Sequence, residues 1–291
     1  MPFETAIYKN AFGGAIRAEE PAEFTIIGIP YDLKSTHRKG AAGGPDSIRK
    51  ASSSQSVNSF TGSGVDLAVD CSIVDVGNLP VHTDTEIMFD TIEQQVVRTV
   101  NNGSIPVILG GDHSITYPVV RGMRQVYDEI NLVWLDAHPD IYQEYNGDKF
   151  SHACPLARIL ETGGIKSVHQ GGIRATTPEL NRYLTDADVH VYTIHSVSNM
   201  KHLSLAGKTY MTIDIDVLDP AFAPGVGNPV PGGMSTRELI DLVMTFELDI
   251  AGFDLVEVNP EYDHASITAA AGAKIIMEII GKITSSNKTR N

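Results

Sequence analysis

The sequence predicts an α/β protein, a three-layer α-β-α sandwich around a central, mostly parallel sheet. Three observations lead there: eight short β-branched apolar runs, helix-length amphipathic segments between them, and no low-complexity linker or internal repeat dividing the 291 residues. Strands alternating with helices imply crossover connections, and the resulting parallel sheet is covered on both faces. The whole chain, residues 1–291, is therefore read as one domain.

The first strand is "FTIIGIPY" (24–31), and the polar "SSSQSVNSFTGSG" (52–64) reads as a surface loop. "CSIVDVG" (71–77) is the second strand, followed by the amphipathic helix "TEIMFDTIEQQVVRTVNN" (85–102) and the third strand "IPVILG" (105–110). Next come a helix in "ITYPVVRGMRQVYDEI" (115–130) and the fourth strand, "NLVWLDA" (131–137). Strands five to seven are "SVHQGGI" (167–173), "VHVYTI" (189–194) and "TYMTIDID" (209–216). The helix "STRELIDLVMTFEL" (235–248) opens with Ser235 and Glu238 at capping-box spacing, where each side chain satisfies a backbone donor. "AGFDLVEV" (251–258) is the eighth strand, "ASITAAAGAKIIMEIIGKI" (265–283) the closing helix, and "TSSNKTRN" (284–291) is expected to fray.

Composition bounds the function. At 42 % hydrophobic and 20 % charged residues the chain is an ordinary globular one. No apolar run reaches the roughly 18 to 20 residues that span a bilayer. The opening "MPFETAIYKNAFGG" lacks the basic and apolar regions of a signal peptide, so a cytoplasmic protein is expected. Cys71 and Cys154 cannot build a disulfide framework and lack the paired spacing of a structural zinc site, which fits a reducing compartment. A formal charge of −14 argues against nucleic acid, whose backbone needs a positive face. It mildly favours a cationic substrate, although many acidic proteins simply stay soluble this way.

In such sheets ligand sites form beyond the carboxyl ends of the strands. The third strand ends in "GGDHS", placing His113 behind two glycines; alone, such a turn is more often a plain loop. The fourth ends in "LVWLDAHPDIY", with Asp136, His138 and Asp140 at alternate positions, on one side for as long as the chain stays extended. Burying such a cluster without a counter-cation would be costly, so it points to a metal. The seventh repeats the device with Asp214 and Asp216. Four carboxylates and two imidazoles suit two divalent cations sharing a water. The set is oxygen-rich and free of thiolate, favouring Mn²⁺ over a thiolate zinc site and leaving Ni²⁺ and Co²⁺ open. His152, in "KFSHACPLA", could move protons, and Glu257, in "LVEVNP", could hold a cation by charge-assisted hydrogen bonds. Each is ambiguous by itself: a loop His is usually a surface residue, and a Glu there could cap a helix.

In this order, "GGDHS", "DAHPD", "SHACP", "DIDVLDPAFAPGVGNPVPGG" and "VEVNP" resemble the signatures of the ureohydrolase family, the arginases and agmatinases. "YDLKSTHRKGAAGGPDSIRKAS" (31–52) resembles its N-terminal glycine-rich block, and the similarity covers nearly the whole chain. The resemblance implies an arginase-like fold with eight parallel strands, assembled as a homotrimer or homohexamer. It implies that His113, Asp136, His138, Asp140, Asp214 and Asp216 bind two Mn²⁺. It implies hydrolysis of a guanidinium group to urea and an amine, with Asp140 orienting the nucleophile, Glu257 holding the guanidinium nitrogens and His152 shuttling the proton.

The implied substrate is a small cationic guanidine. Tyr142 stands where arginases carry an Asn that helps to bind the α-amino and α-carboxylate groups, so the pattern resembles agmatinases more closely. Agmatine, cleaved to putrescine and urea in polyamine biosynthesis, is the expected substrate. Ala153, Cys154 and Pro155 depart from the Gly and Thr or Ser usual in agmatinases, which keeps guanidinobutyrate, guanidinopropionate, guanidine and arginine as alternatives. A single-zinc deacetylase would not need His113 together with Asp136 and Asp214. A non-catalytic regulatory member would be expected to have lost ligands that are present here.

Overall fold

In the computed structural model, eight strands occupy Phe24–Gly28 (β1), Ile73–Asn78 (β2), Ile105–Leu109 (β3), Ile130–Leu135 (β4), Ile165–Ile173 (β5), His190–Thr193 (β6), Ser204–Asp214 (β7) and Glu247–Val256 (β8). The described residues are 11–13, 22–53 and 58–290, so most of the opening segment and residues 54–57 of the polar loop lie outside them. All strand pairings within the sheet are parallel, in the order β2-β1-β3-β8-β7-β4-β5-β6.

Helices fill both faces, as crossover connections require. Gly44–Ala51 (α1), Thr236–Met244 (α6) and Ile267–Arg290 (α7) pack on one face, against Val133, Leu135, Met211, Ile213, Phe253 and Leu255. On the other are Thr85–Asn101 (α2), Thr116–Val126 (α3), Pro155–Glu161 (α4) and Pro178–Asp186 (α5), against Leu132, Trp134 and Tyr210. Successive residues of β4 thus enter opposite layers, the period-two pattern of a strand buried on both sides. The arrangement is the expected α-β-α sandwich with an eight-stranded parallel sheet. The capping box of α6 is present: Ser235 Oγ accepts from Glu238 N, and Glu238 accepts from Ser235 N.

Several boundaries differ from expectation. The helix read over 115–130 stops at Val126, and that read over 235–248 stops at Met244, because the following strands start early, at Ile130 and Glu247. The tail does not fray at 284: α7 continues through Arg290, with Thr284 buried and its hydroxyl donating to Ile280 O at 2.9 Å. Farther along, Lys288 Nζ meets Asp70 at 2.7 Å, so tertiary contacts extend the helix past its apolar run. Most consequential for function, β4 ends at Leu135, and the chain turns instead of staying extended to Asp140, whose φ is +48°.

No helix among the described residues is long and apolar enough to cross a membrane.

Candidate metal centre

β3, β8, β7 and β4 are consecutive neighbours at the middle of the sheet, and being parallel they all end on the same side. β3 and β4, adjacent in sequence, are separated there by two strands, and such a switch point is where open α/β sheets form their clefts. The loops leaving these four strands bring His113, Asp136, His138, Asp140, Asp214, Asp216 and Glu257 to one place.

Potential ligand atoms fall into two groups. His113, Asp136, Asp140 and Asp214 form one, Asp136, His138 and Asp216 the other, with the atoms of each group within 4.8 Å of one another. Asp136 belongs to both. The convergence foreseen from strand alternation is real, but its cause is different. Asp136 is fixed at the strand end by Trp134 Nε1, which donates to its Oδ2 at 2.9 Å, and by His138 N, which donates to its Oδ1 at 2.6 Å. Asp140 comes back toward the centre through its left-handed backbone, a conformation sustained only where the surroundings impose it. Asp216 is oriented through Ala137 N, which donates to its Oδ1 at 3.2 Å, while Asp214 Oδ1 accepts from Asp216 N at 2.8 Å.

His113 tests whether a cation fits. Its ring stacks on Trp134, with centroids 4.5 Å apart, and its Nε2 lies 2.9 Å from Thr212 Oγ1. Thr212 has one hydroxyl proton, given to the buried carboxylate of Asp254 at 2.5 Å, which Tyr210 and Thr116 also donate to. The Thr212 oxygen must therefore accept from Nε2–H, which places the lone pair of the neutral ring on Nδ1. Nδ1 faces carboxylate oxygens of Asp140, Asp136 and Asp214 at 3.0, 3.2 and 3.3 Å, yet makes no hydrogen bond. A buried lone pair aimed at three acceptors is repulsive unless a cation stands among them or the ring takes a proton there. Burial opposes the charged ring, but Asp136, Asp140 and Asp214 lift it well above its ordinary range when no metal is bound. The residues fit a hard divalent ion.

The electrostatics agree. Burial pushes the carboxyl groups of Asp140 (to about 6), Asp214 and Asp216 up, and the neighbouring charge of Asp136 adds to the rise. Burial works against a charged His138, but Asp216 and Asp136 lift it to about 12. Four acidic groups packed this closely demand positive charge, as protons or as metal.

His152 and Glu257 lie in direct contact, which the sequence did not foretell. His152 Nδ1 is 2.9 Å from Glu257 Oε1, which also accepts from His113 N at 3.0 Å. Glu257 has φ +65° just beyond β8, another strained residue at the centre. Its second oxygen faces Gly227, where a Cβ would sit 3.5 Å away. The other nitrogen of His152 meets Thr36 twice, accepting from its N–H at 3.3 Å and lying 2.9 Å from its hydroxyl. Accepting from Thr36 N–H fits the neutral ring with its proton on Nδ1 toward Glu257, whereas a protonated ring would donate its Nε2–H to the Thr36 hydroxyl instead. Burial opposes the charged ring, but Glu257, Asp112 and Asp140 lift it to about 9, a rise that cations beside Asp140 would oppose.

Cys154 is fully buried, its thiol points to Asp148 O at 3.7 Å, and burial holds it near a pKa of about 12. It packs beneath the loop as a neutral thiol. Thr36, Trp134, Thr212 and Asp254 were missed as contributors. Only Thr36 carried a signal, its place in the glycine-rich block.

The model of the arginase family matches residues 22–281. The mitochondrial arginase 1 of Arabidopsis thaliana is 35 % identical over 90 % of this chain and 82 % of its own. The agmatinase of Bacillus subtilis is 33 % identical over 96 % of this chain and 98 % of its own. Among solved structures, the agmatine ureohydrolase of Thermoplasma volcanium superposes with a TM-score of 0.87 at 30 % identity, covering 97 % of both chains.

Proposed function

The chain belongs to the arginase family, whose members are ureohydrolases acting on guanidino groups, and from that premise we propose that it holds two Mn²⁺ and hydrolyses agmatine to putrescine and urea. The observation that supports this most is His113 Nδ1, an unshared lone pair among three carboxylates at 3.0 to 3.3 Å. His113, Asp136, Asp140 and Asp214 would hold one ion and Asp136, His138 and Asp216 the other. Bound there, such ions lower the pKa of water so that hydroxide is available near neutral pH.

The chain's own residues do the rest. Glu257 keeps Oε1 on His152 and His113 N, and offers Oε2 to the guanidinium N–H groups in the space left by Gly227. A fixed guanidinium presents its carbon in one orientation, the positioning that a poor electrophile needs. Asp140 accepts a hydrogen bond from the attacking water and aligns it. His152, whose Nδ1 faces Glu257 and whose Nε2 faces Thr36, carries the proton that the departing amine takes up, because an unprotonated amide anion is a prohibitive leaving group.

Agmatine is preferred because Tyr142 is half-buried beside the ligand turn, its ring centroid 5.1 Å from that of Tyr145, offering a carboxylate no cation. The −14 charge of the chain also suits a substrate without an acid group. Arginine is the second reading, favoured by the similarity to the Arabidopsis arginase. Urea release by the Mn²⁺-loaded protein from agmatine, arginine, guanidinobutyrate, guanidinopropionate and guanidine tests it. Agmatine is expected to be cleaved fastest. Turnover of arginine alone would overturn the assignment, and no urea from any of them with metals bound would favour a non-catalytic member.

A further inference from the structure

We infer that Arg174 is a positioning residue for one half of the centre, the ion position flanked by Asp136, His138 and Asp216, and that β5, which supplies no ligand, acts on the metal through it. The inference rests on the two-ion reading above.

Arg174 immediately follows β5 and grips both ligand loops. Through the backbone, Arg174 N and Ala175 N donate to Ala137 O at 2.9 and 3.0 Å, pinning the residue between Asp136 and His138. Through the side chain, its Nη2 donates to Asp216 O at 2.6 Å, Val230 O at 2.8 Å and Leu218 O at 3.1 Å. Its Nη1 donates to Val217 O and its Nε to Val230 O, both at 3.1 Å. The carbonyls of three successive residues, 216 to 218, thus converge on one guanidinium. Gly233 makes room, since a Cβ there would come within 2.6 Å of Nη2.

Two features separate this from ordinary loop bracing. First, no described ion pair or side-chain hydrogen bond joins Arg174 to a carboxylate; its donors go to backbone oxygens, and the charges of Asp216, Asp136, Asp219 and Asp214 act on it only through space. Second, its direct contacts favour one side, although Asp136 is shared by both groups and Asp214 accepts from Asp216 N. Ala137 and Asp216 are tied to it, and these two meet each other through Ala137 N and Asp216 Oδ1. His113 is held from elsewhere, by Trp134, Thr212 and Glu257. Ligand orientation set by such outer contacts governs metal affinity by about 10- to 100-fold. Lysine cannot replace this residue, because a point charge with three donors does not span a fan of carbonyls.

The test is Mn²⁺ binding by the full chain, wild type against Arg174→Lys, with stoichiometry by elemental analysis after dialysis, affinity by titration calorimetry, and electron paramagnetic resonance for the spin-coupled pair. Circular dichroism confirms folding; Arg174→Gln, which keeps donors without charge, substitutes if the Lys variant is misfolded. Wild type is expected to retain two ions with a coupled signal. The variant is expected to retain one, to bind the second about 10- to 100-fold more weakly, and to regain the coupled signal at high Mn²⁺. Two ions at wild-type affinity in the variant, or equal weakening of both, would overturn the assignment. A wild type holding a single ion would instead overturn the two-ion reading, and the inference with it.

Discussion

His113 is held from three directions: Trp134 stacks on its ring, Thr212 takes Nε2, and its backbone N–H is given to Glu257. Its nitrogen toward the carboxylates is thereby chosen by residues outside the proposed ligand set, and the tautomer of the neutral ring follows from one hydroxyl proton on Thr212. A comparable division is proposed between His138, as a ligand, and Glu257, as a substrate-holding carboxylate. His138→Ala removes a ligand and should lose metal and turnover together. Glu257→Gln keeps an oxygen for His113 N and His152 but loses the charge proposed to hold a guanidinium. It should keep its Mn²⁺ content while kcat falls by at least about 100-fold, the scale of a lost positioned group. Metal analysis beside urea kinetics checks both, and retained turnover in the second variant would remove Glu257 from its role.

Among the elements, β5 does the most without contributing a ligand. Gly171 O accepts from Asp136 N at 3.0 Å, Gln170 Nε2 donates to Pro139 O at 2.8 Å, and Arg174 follows. Between them Gly172 has φ +96°, and a Cβ there would meet Val217 Cγ2 at 2.5 Å and Asp136 O at 3.0 Å. Only glycine lets the strand approach both ligand loops at once. Gly172→Ala should therefore destabilise the fold by about 1 to 3 kcal/mol and reduce Mn²⁺ affinity. Denaturant unfolding and metal titration of the same variant read the two effects, and wild-type values for both would refute the close-approach argument. The strand was legible in "SVHQGGI", but its bracing role was not, because the partners of residues 170 to 174 lie on β4 and β6 and in the segments that follow β4 and β7.

For the whole molecule, the centre concentrates buried like charge at the carboxyl ends of the four central strands, a cost that the proposed cations would meet. Chelation should therefore lower the melting temperature, and restored Mn²⁺ at about 1,000 times its dissociation constant should return about 4 kcal/mol. Calorimetry of the chelated and reloaded protein measures this, and an unchanged melting temperature would show that the ligands are not linked to folding. Layer architecture and the side chains that converge at the centre were readable from the chain, since hydrophobic period and paired acids after apolar strands are local patterns that burial imposes directly on sequence. The length of α7 beyond residue 283 was not readable, being set by contacts such as Lys288 with Asp70. Nor was the path of Asp140, whose left-handed turn replaced the extended chain that alternation suggested. The sequence by itself determined the sheet, the helices and which side chains meet at its carboxyl edge. Tertiary structure alone decided how they meet: the Asp136 shared by two groups, the His152–Glu257 contact and the grip of Arg174. The physical reason is that each is a through-space contact between loops whose separation along the chain leaves no periodic trace in it.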